Sequence, residues 1–265
     1  MGFLDNKVVW ITGASAGIGE ATAHQVAKEG GKLVLSARRV EELVRVKKEL
    51  GLAEADVLVL PMDVTAVASF EGLAKQVIDK FGRIDVLFNN AGISQRGDVI
   101  GTSMEVYQTL FDVNFFGVVA LTKVVLPYMI AQKSGQIAVT SSLSGKLGTP
   151  KRSGYCATKH ALHGFFDSLR AEVTEHNIHV LLVCPGYINT DISLNALAAD
   201  GSKYGKKDVN QANGLSAQEC AEKIVSGLKN RKSEIYMGGK EVLGVYLKRF
   251  FPKLLEKIIL KQQPK

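Results

Sequence analysis

Tyr155 and Lys159 stand four residues apart in the run Ser153-Gly154-Tyr155-Cys156-Ala157-Thr158-Lys159. On a helix, positions i and i+4 share a face, so the phenol and the ammonium can serve one small volume. A free tyrosine, with a pKa of about 10, is a poor acid–base group at neutral pH. A neighbouring Lys⁺ and the positive ring of an oxidised nicotinamide both favour the phenolate and draw that value down. A second signal lies upstream, in Thr12-Gly13-Ala14-Ser15-Ala16-Gly17-Ile18-Gly19. It follows an apolar stretch, Val8 to Ile11, and opens a helical pattern. At such a turn a pyrophosphate rests on backbone N–H groups and on the positive end of a helix dipole. A nucleotide site joined to a charge-activated phenol predicts hydride transfer with a tyrosine acid–base.

The glycines are spaced Gly-x-x-x-Gly-x-Gly rather than Gly-x-Gly-x-x-Gly. Gly13 is expected to permit the tight turn, Gly17 the approach of backbone to phosphate, and Gly19 close packing of helix on strand. An ordinary strand–helix turn is the plain alternative. Three glycines so early in a βαβ pattern favour nucleotide binding. Cofactor choice turns on the end of the second strand, Leu35-Ser36-Ala37-Arg38-Arg39. NAD-specific folds place an acid there for the ribose 2′-OH, where this chain has Ala37. Arg38 can fork onto a 2′-phosphate, which predicts NADP(H).

The elements that must position these groups are legible as alternation. Seven short apolar, β-branched runs read as strands: 7–11, 32–35, 56–60, 84–88, 136–140, 179–183 and 234–236. Helical patterns lie between them at 18–29, 40–50, 67–81, 104–130, 154–176 and 217–230. Strict alternation predicts an α/β fold, a Rossmann-type doubly wound parallel sheet of about seven strands with helices on both faces. With 265 residues, 46% of them hydrophobic, one domain over 1–265 is expected. The irregular stretch 187–215 reads as a substrate loop. No run of 18 apolar residues suggests a membrane span, and the early first strand predicts no secretory signal. Three cysteines without metal-like spacing read as reduced thiols, and the five histidines show no metal pattern, so no metal is expected. His160 and His163 have no evident carboxylate partner and read as structural.

Net charge is +7, and residues 240–265 hold seven Lys or Arg against two acids, or +5 of it. The rest of the chain is near balance, which argues against nucleic-acid binding. After Pro252, suited to a helix first turn, Leu254, Leu255, Ile258 and Ile259 fall on one face and Lys253, Lys257 and Lys261 on another. This basic amphipathic segment predicts either packing near the substrate entrance or contact with an anionic membrane.

Taken in order, these motifs resemble the short-chain dehydrogenase/reductase family over nearly the whole chain. The resemblance rests on the glycine turn, on Asn89-Asn90-Ala91-Gly92 after the fourth strand, and on Asn114 in the fourth helix. It rests also on Ser142, thirteen residues before Tyr155, and on Pro185-Gly186 followed by Thr190. The stretch Ser141 to Lys146, with Gly164-Phe165-Phe166, is similar to the 11β-hydroxysteroid dehydrogenase and dehydrogenase/reductase member 7 branch. The resemblance implies a catalytic set of Asn114, Ser142, Tyr155 and Lys159. Ser142 would donate to the substrate oxygen, with Ser141 as the rival. Lys159 would bond the ribose, and Asn114 would divert a backbone carbonyl toward a relay water. The implied cofactor positions are Gly13, Ser15, Ala16, Gly17, Ile18, Gly19, Arg38, Asp63, Val64, Asn90, Ala91, Gly92, Tyr155, Lys159, Pro185, Gly186, Ile188 and Thr190. Ala16 departs from the many NADP-using relatives with a basic residue there. The implied activity interconverts a carbonyl and an alcohol with NADP(H), on an apolar substrate such as a steroid or retinoid, in a cytoplasmic homodimer or homotetramer. The alternatives are a polar sugar or polyol substrate, or a non-catalytic NADP-sensing scaffold.

Overall fold

The computed structural model describes residues 2–261. Its centre is a parallel sheet of seven strands in the order β3-β2-β1-β4-β6-β7-β9. These are β1 (Val8–Thr12), β2 (Lys32–Ser36), β3 (Val57–Val59), β4 (Val86–Asn89), β6 (Gly135–Thr140), β7 (Ile178–Pro185) and β9 (Glu234–Met237). Alternate residues of β1 face opposite ways, as the strand pleat requires. Val8 and Trp10 enter one core, and Val9 and Ile11 the other.

The first core is closed by α3 (Phe70–Phe81), α5 (Gly117–Gln132) and α6 (Ser153–Glu172) through Phe70, Val77, Leu121, Val125, Leu162 and Phe166. The second is closed by α1 (Gly17–Lys28), α2 (Val40–Leu50) and α8 (Ala217–Lys229) through Ala23, Val26, Leu43, Val46, Ile224 and Leu228. Helices thus cover both faces, which is why the inner strands are apolar throughout rather than alternating. Strand order reverses between β1 and β4. In an open α/β sheet, ligands bind in the crevice beyond the carboxyl ends of the strands at that point.

The structure departs from the expected elements in three places. The helix expected over 104–130 is α4 (Met104–Phe111), a π-helical turn at Asp112–Phe116, and α5. That run is the one among the described residues long and apolar enough to cross a bilayer. Here Val118, Leu121, Val125 and Met129 are buried in the first core, so composition alone misreads it. The stretch 187–215 is not wholly irregular. It carries β8 (Leu197–Ala198), paired in parallel with β5 (Gln95–Arg96), and α7 (Val209–Ala212). Within the C-terminal segment, residues 240–261 form two helices, α9 (Leu243–Phe250) and α10 (Pro252–Lys261), of which only the second was expected, and residues 262–265 lie outside the described residues.

A third, smaller core joins these last helices to the loop after β6. Val245 and Leu255 are buried with Leu143, Leu147 and Cys184, and Ile259 packs beside them. The other half of the amphipathic face stays in water. Leu254, Ile258 and Leu260 of α10 are exposed, as are Leu243, Tyr246 and Phe250 of α9.

Candidate active site

The glycine turn joins β1 to α1. Gly13 has φ +66° and Gly17 φ +59°, left-handed values that glycine takes without strain. A Cβ on Gly19 would stand 2.2 Å from the Gly13 carbonyl oxygen, so helix and turn touch backbone to backbone. Ala16 is the N-cap of α1 and offers no side-chain bond to the first helical N–H groups. An uncapped N-terminus leaves donors free at the positive end of the helix. Ile18 packs into the second core.

Asn90 ties the turn to its neighbours. Its Nδ2 donates to the Thr12 carbonyl at 3.1 Å, and its Oδ1 accepts from the Thr140 hydroxyl at 3.1 Å. The Thr12 hydroxyl in turn accepts from the Asn90 and Ala91 N–H groups at 2.9 and 3.0 Å. Thr190 lies over the same turn: its Cγ2 would be 3.1 Å from a Cβ on Gly17. Pro185 ends β7, Ile188 is buried in the second core, and Ile188 bridges to Leu215 at the far end of the loop. A Cβ on Gly186 would meet Glu241 at 2.6 Å.

At the end of β2, Arg38 is exposed. Arg39, which sequence reasoning passed over, sends Nη2 to the Ser15 hydroxyl at 3.3 Å. The signal for it was its place beside Arg38. Asp63 accepts from the Thr65 N–H and hydroxyl at 2.9 and 2.8 Å. Those bonds, with Arg38 nearby, hold its carboxyl below the usual range. The Val64 carbonyl abuts Gly117, where a Cβ would come within 2.1 Å.

The four groups expected to act together are brought together. Lys159 Nζ lies 5.7 Å from the centre of the Tyr155 ring and donates to the Thr140 carbonyl at 2.7 Å. Both side chains are buried, Lys159 at 3% exposure and Tyr155 at 8%. Burial lowers the Lys159 pKa to about 8. Burial raises that of Tyr155, and the Ser142 hydroxyl offsets part of the rise. Sequence reasoning credited Lys159 with drawing the phenol down. The ammonium donates to Thr140, and within the protein itself desolvation of the ring is the largest influence on the phenol.

Ser142 caps the short turn Leu143–Gly145, accepting from the Ser144 N–H, and donates to the Pro185 carbonyl at 3.2 Å. Its rival Ser141 is spent elsewhere: its hydroxyl donates to the Lys159 carbonyl and meets His163 Nε2 at 2.9 Å.

Asn114 lies within the π-helical turn. Its Oδ1 accepts from the Ile93 N–H at 2.8 Å, and its Nδ2 donates to the Ile93 carbonyl at 2.9 Å and to Thr158 at 3.2 Å. The clamp on Ile93 fixes the side chain from outside the helix, at the turn where the helix is π-helical. Gly92 keeps this corner open, since a Cβ there would stand 3.0 Å from Asn114 Oδ1 and 3.6 Å from Lys159 Nζ.

Two features escaped the sequence. Gln95, fully buried in β5, accepts from the Gly154 and Tyr155 N–H groups at 2.8 and 3.3 Å. It caps the helix that carries Tyr155 and Lys159. His163 does have a carboxylate partner: Glu234 in β9 lies 3.7 Å from Nδ1. His163, Cys184 and Glu234 bring ligand atoms within 4.8 Å of one another. Lys146 pairs with Glu234 at 2.9 Å, and the Cys184 thiol, pushed up by burial, donates to it at 3.2 Å. Cys184 and Lys146 therefore satisfy Glu234, while His163 Nδ1 is buried with no hydrogen-bond partner among the described residues.

Residues 7–200 match the family model for short chain dehydrogenases. The chain is 47% identical over 239 residues to an Anopheles gambiae dehydrogenase/reductase SDR family protein 7-like, covering 88% of this chain and 75% of that one. It is 43% identical over 255 residues to the human dehydrogenase/reductase SDR family member 7, covering 94% and 75%. Among solved structures, a short chain dehydrogenase/reductase of Burkholderia phymatum in complex with NAD superposes with TM-score 0.83 at 27% identity, covering 100% and 98%. An alcohol dehydrogenase of Thermococcus sibiricus complexed with 5-hydroxy-NADP gives 0.76 at 29% identity, covering 89% and 97%.

Proposed function

The chain belongs to the short-chain dehydrogenase/reductase family, and from that premise we propose that it interconverts a carbonyl and an alcohol with NADP(H), using Tyr155 as the acid–base. The observation that supports this most is the buried grouping of Tyr155, Ser142, Lys159 and Asn114 at the carboxyl ends of the central strands. A scaffold would have no use for a lysine whose burial costs it a lowered pKa.

The nucleotide fits the first crossover. The uncapped N-terminus of α1, the Gly13 and Gly17 backbone and the Ser15 hydroxyl form a cradle for phosphate. Arg38 and Arg39, with Ala37 in place of an acid, suit a 2′-phosphate. When bound, the nicotinamide supplies or takes the hydride at the carbonyl carbon.

The rest is work for side chains. Ser142 turns its one hydroxyl proton from the Pro185 carbonyl to the substrate oxygen and holds that oxygen toward Tyr155. Tyr155 gives that oxygen its proton in reduction and removes it in oxidation. Burial keeps the phenol protonated at neutral pH, so the acid of the reductive direction is ready. Lys159 has ammonium donors beyond the one on Thr140 and offers them to ribose hydroxyls. Asn114, by fixing Ile93 and Thr158, holds the floor beneath Lys159.

The substrate we infer to be largely apolar, since Leu143 and Leu147 lie on the loop that begins at Ser142, under the C-terminal helices. The exposed apolar residues of α9 and α10, interleaved with Lys248, Arg249, Lys253, Lys257 and Lys261, support peripheral contact with an anionic membrane. A single cytoplasmic domain, assembled as a homodimer or homotetramer, completes the reading.

The test is an NADPH- and NADH-oxidation screen over steroid, retinoid, quinone and aliphatic carbonyls, run with Tyr155→Phe beside the wild type. A proton-transfer group contributes about 10²–10⁴-fold in rate, and the variant keeps its cofactor affinity. Turnover within tenfold of wild type removes Tyr155 from the role.

A further inference from the structure

We propose that Arg96 and Arg152 form an anion subsite beside the candidate active site, and that the substrate carries a carboxylate on its apolar body. The proposal rests on the carbonyl–alcohol reading of the same site. Arg152 is the N-cap residue of α6, one turn before Tyr155. Arg96 follows Gln95, the residue that caps that helix, and Gly97 bridges to Arg152. Both arginines therefore stand on the elements that hold Tyr155 in place.

Their charges are not balanced. Arg96 Nη2 and Arg152 Nη2 lie 3.2 and 3.0 Å from the same oxygen, Oδ2 of Asp208. The other Asp208 oxygen accepts from the Asn210 N–H at 3.0 Å. Among the described residues no second carboxylate lies within ion-pair distance of either guanidinium. Two cations thus share one anion. The three side chains are only 9%, 17% and 20% exposed, for Arg96, Arg152 and Asp208 in turn. A withdrawn charge without a partner is costly, and an arriving anion removes that cost.

The two arginines divide the work. Arg96 is committed: its Nη1 also donates to the Ser94 hydroxyl at 3.1 Å and to the Gln95 carbonyl at 2.9 Å. Burial, with Arg152 next to it, lowers its pKa. Arg152 makes the single bond to Asp208 among the described residues, so its remaining N–H groups are available. Their planar fork matches a carboxylate. Arg152 is the N-cap of the helix that carries Tyr155 in its first turn, which places the subsite within a substrate's length of the reacting oxygen. Asp208 lies in the 187–215 loop, so the same cluster ties that loop to the wall of the site.

The decisive comparison uses matched acids and esters. Reduction of 6-oxohexanoate and 12-oxododecanoate is measured against that of their methyl esters, in the wild type, Arg152→Gln and Arg152→Lys. The wild type is expected to favour at least one acid over its ester by tenfold or more in kcat/KM. That ratio falls to about one in R152Q and is partly restored in R152K. Calorimetric titration of decanoate and methyl decanoate into the NADP⁺-loaded protein tests the subsite without turnover. Decanoate binding that weakens at least tenfold in R152Q, with the melting temperature kept, supports the subsite whether or not any carbonyl is reduced. Equal handling of acid and ester by the wild type, or decanoate binding unchanged in R152Q, overturns it. Reduction of neutral carbonyls with no acid preference would leave the oxidoreductase reading standing and the subsite gone.

Discussion

Gln95 Oε1 accepts the Gly154 N–H at 2.8 Å, so a residue from a two-residue strand caps the helix that carries Tyr155. The Gln95 amide is held in turn by Thr102, to which Nε2 donates at 3.2 Å. Replacing it with leucine fills the volume and strands two buried N–H groups. Each such loss costs about 1–3 kcal/mol. In a chain of this size Gln95→Leu should lower Tm by about 3–10 °C, read by thermal unfolding. Turnover should fall by more than cofactor affinity, because the first turn of α6 moves with Tyr155. An unchanged melting curve would show that the cap carries no weight.

Gly19 and Gly164 make a matched pair. A methyl group at Gly19 meets the Gly13 carbonyl, which is backbone, while at Gly164 it meets nothing within 4 Å. Gly19→Ala should destabilise by about 1–3 kcal/mol and weaken cofactor binding. Gly164→Ala, inside α6, should stabilise by about 0.5–1 kcal/mol. Equal effects from the two would contradict the close contact of turn and helix.

Arg38 should select between nucleotides. A lost charge-assisted bond costs about 1.5–3 kcal/mol, or about 10- to 100-fold in Kd. Arg38→Ala should impose this on NADPH and leave NADH nearly unaffected, as measured by fluorescence titration. Arg39→Ala should weaken both, because Arg39 bonds Ser15 in the shared phosphate turn. Equal weakening by Arg38→Ala would assign it a structural part.

His163 makes stability depend on pH. Burial lowers its pKa to about 4 from the usual 6.5. Above 6.5 the ring is neutral in both states and costs nothing. As pH falls from about 6.5 to about 4, the unfolded chain takes up a proton that the folded one refuses, and stability drops. Below the folded value the loss is complete, at about 3 kcal/mol for the full shift. His163→Gln should flatten this part of the profile in urea unfolding at several pH values. A difference between the two proteins that does not vary over that window would mean the ring is not desolvated.

The C-terminal charges can be reversed without touching the packed face. Lys253, Lys257 and Lys261 are exposed, while Leu255 is buried under the loop after β6. Lysine near an anionic bilayer contributes about 1 kcal/mol, screened beyond about 8 Å at physiological salt. The wild type should co-sediment with phosphatidylserine vesicles and release as salt rises. The triple Lys→Glu variant should remain in the supernatant with its Tm unchanged. Wild-type protein that ignores the vesicles would leave α10 as a cover for Leu143 and Leu147 alone.

Local geometry was written in the chain. Tyr155 and Lys159 share a face because four residues make about one helical turn, whatever surrounds them. Gly13, Gly17 and Gly19 announce their turn because each answers a constraint of the backbone within a few residues. Short apolar runs likewise placed all seven strands of the main sheet, since burial between two helix layers leaves its mark on the inner strands. What the chain concealed depends on which distant pieces strand order brings together. Asn114, within the π-helical turn, finds Ile93, and nothing near Asn114 in sequence says so. Gln95 becomes a helix cap, Glu234 a partner of His163, and Asp208 the shared anion of two arginines, only once the sheet has ordered its strands. The pKa of Tyr155 follows the same division. The lysine that would lower it is local and legible, but the desolvation that outweighs it belongs to the packed interior, which only the tertiary structure creates.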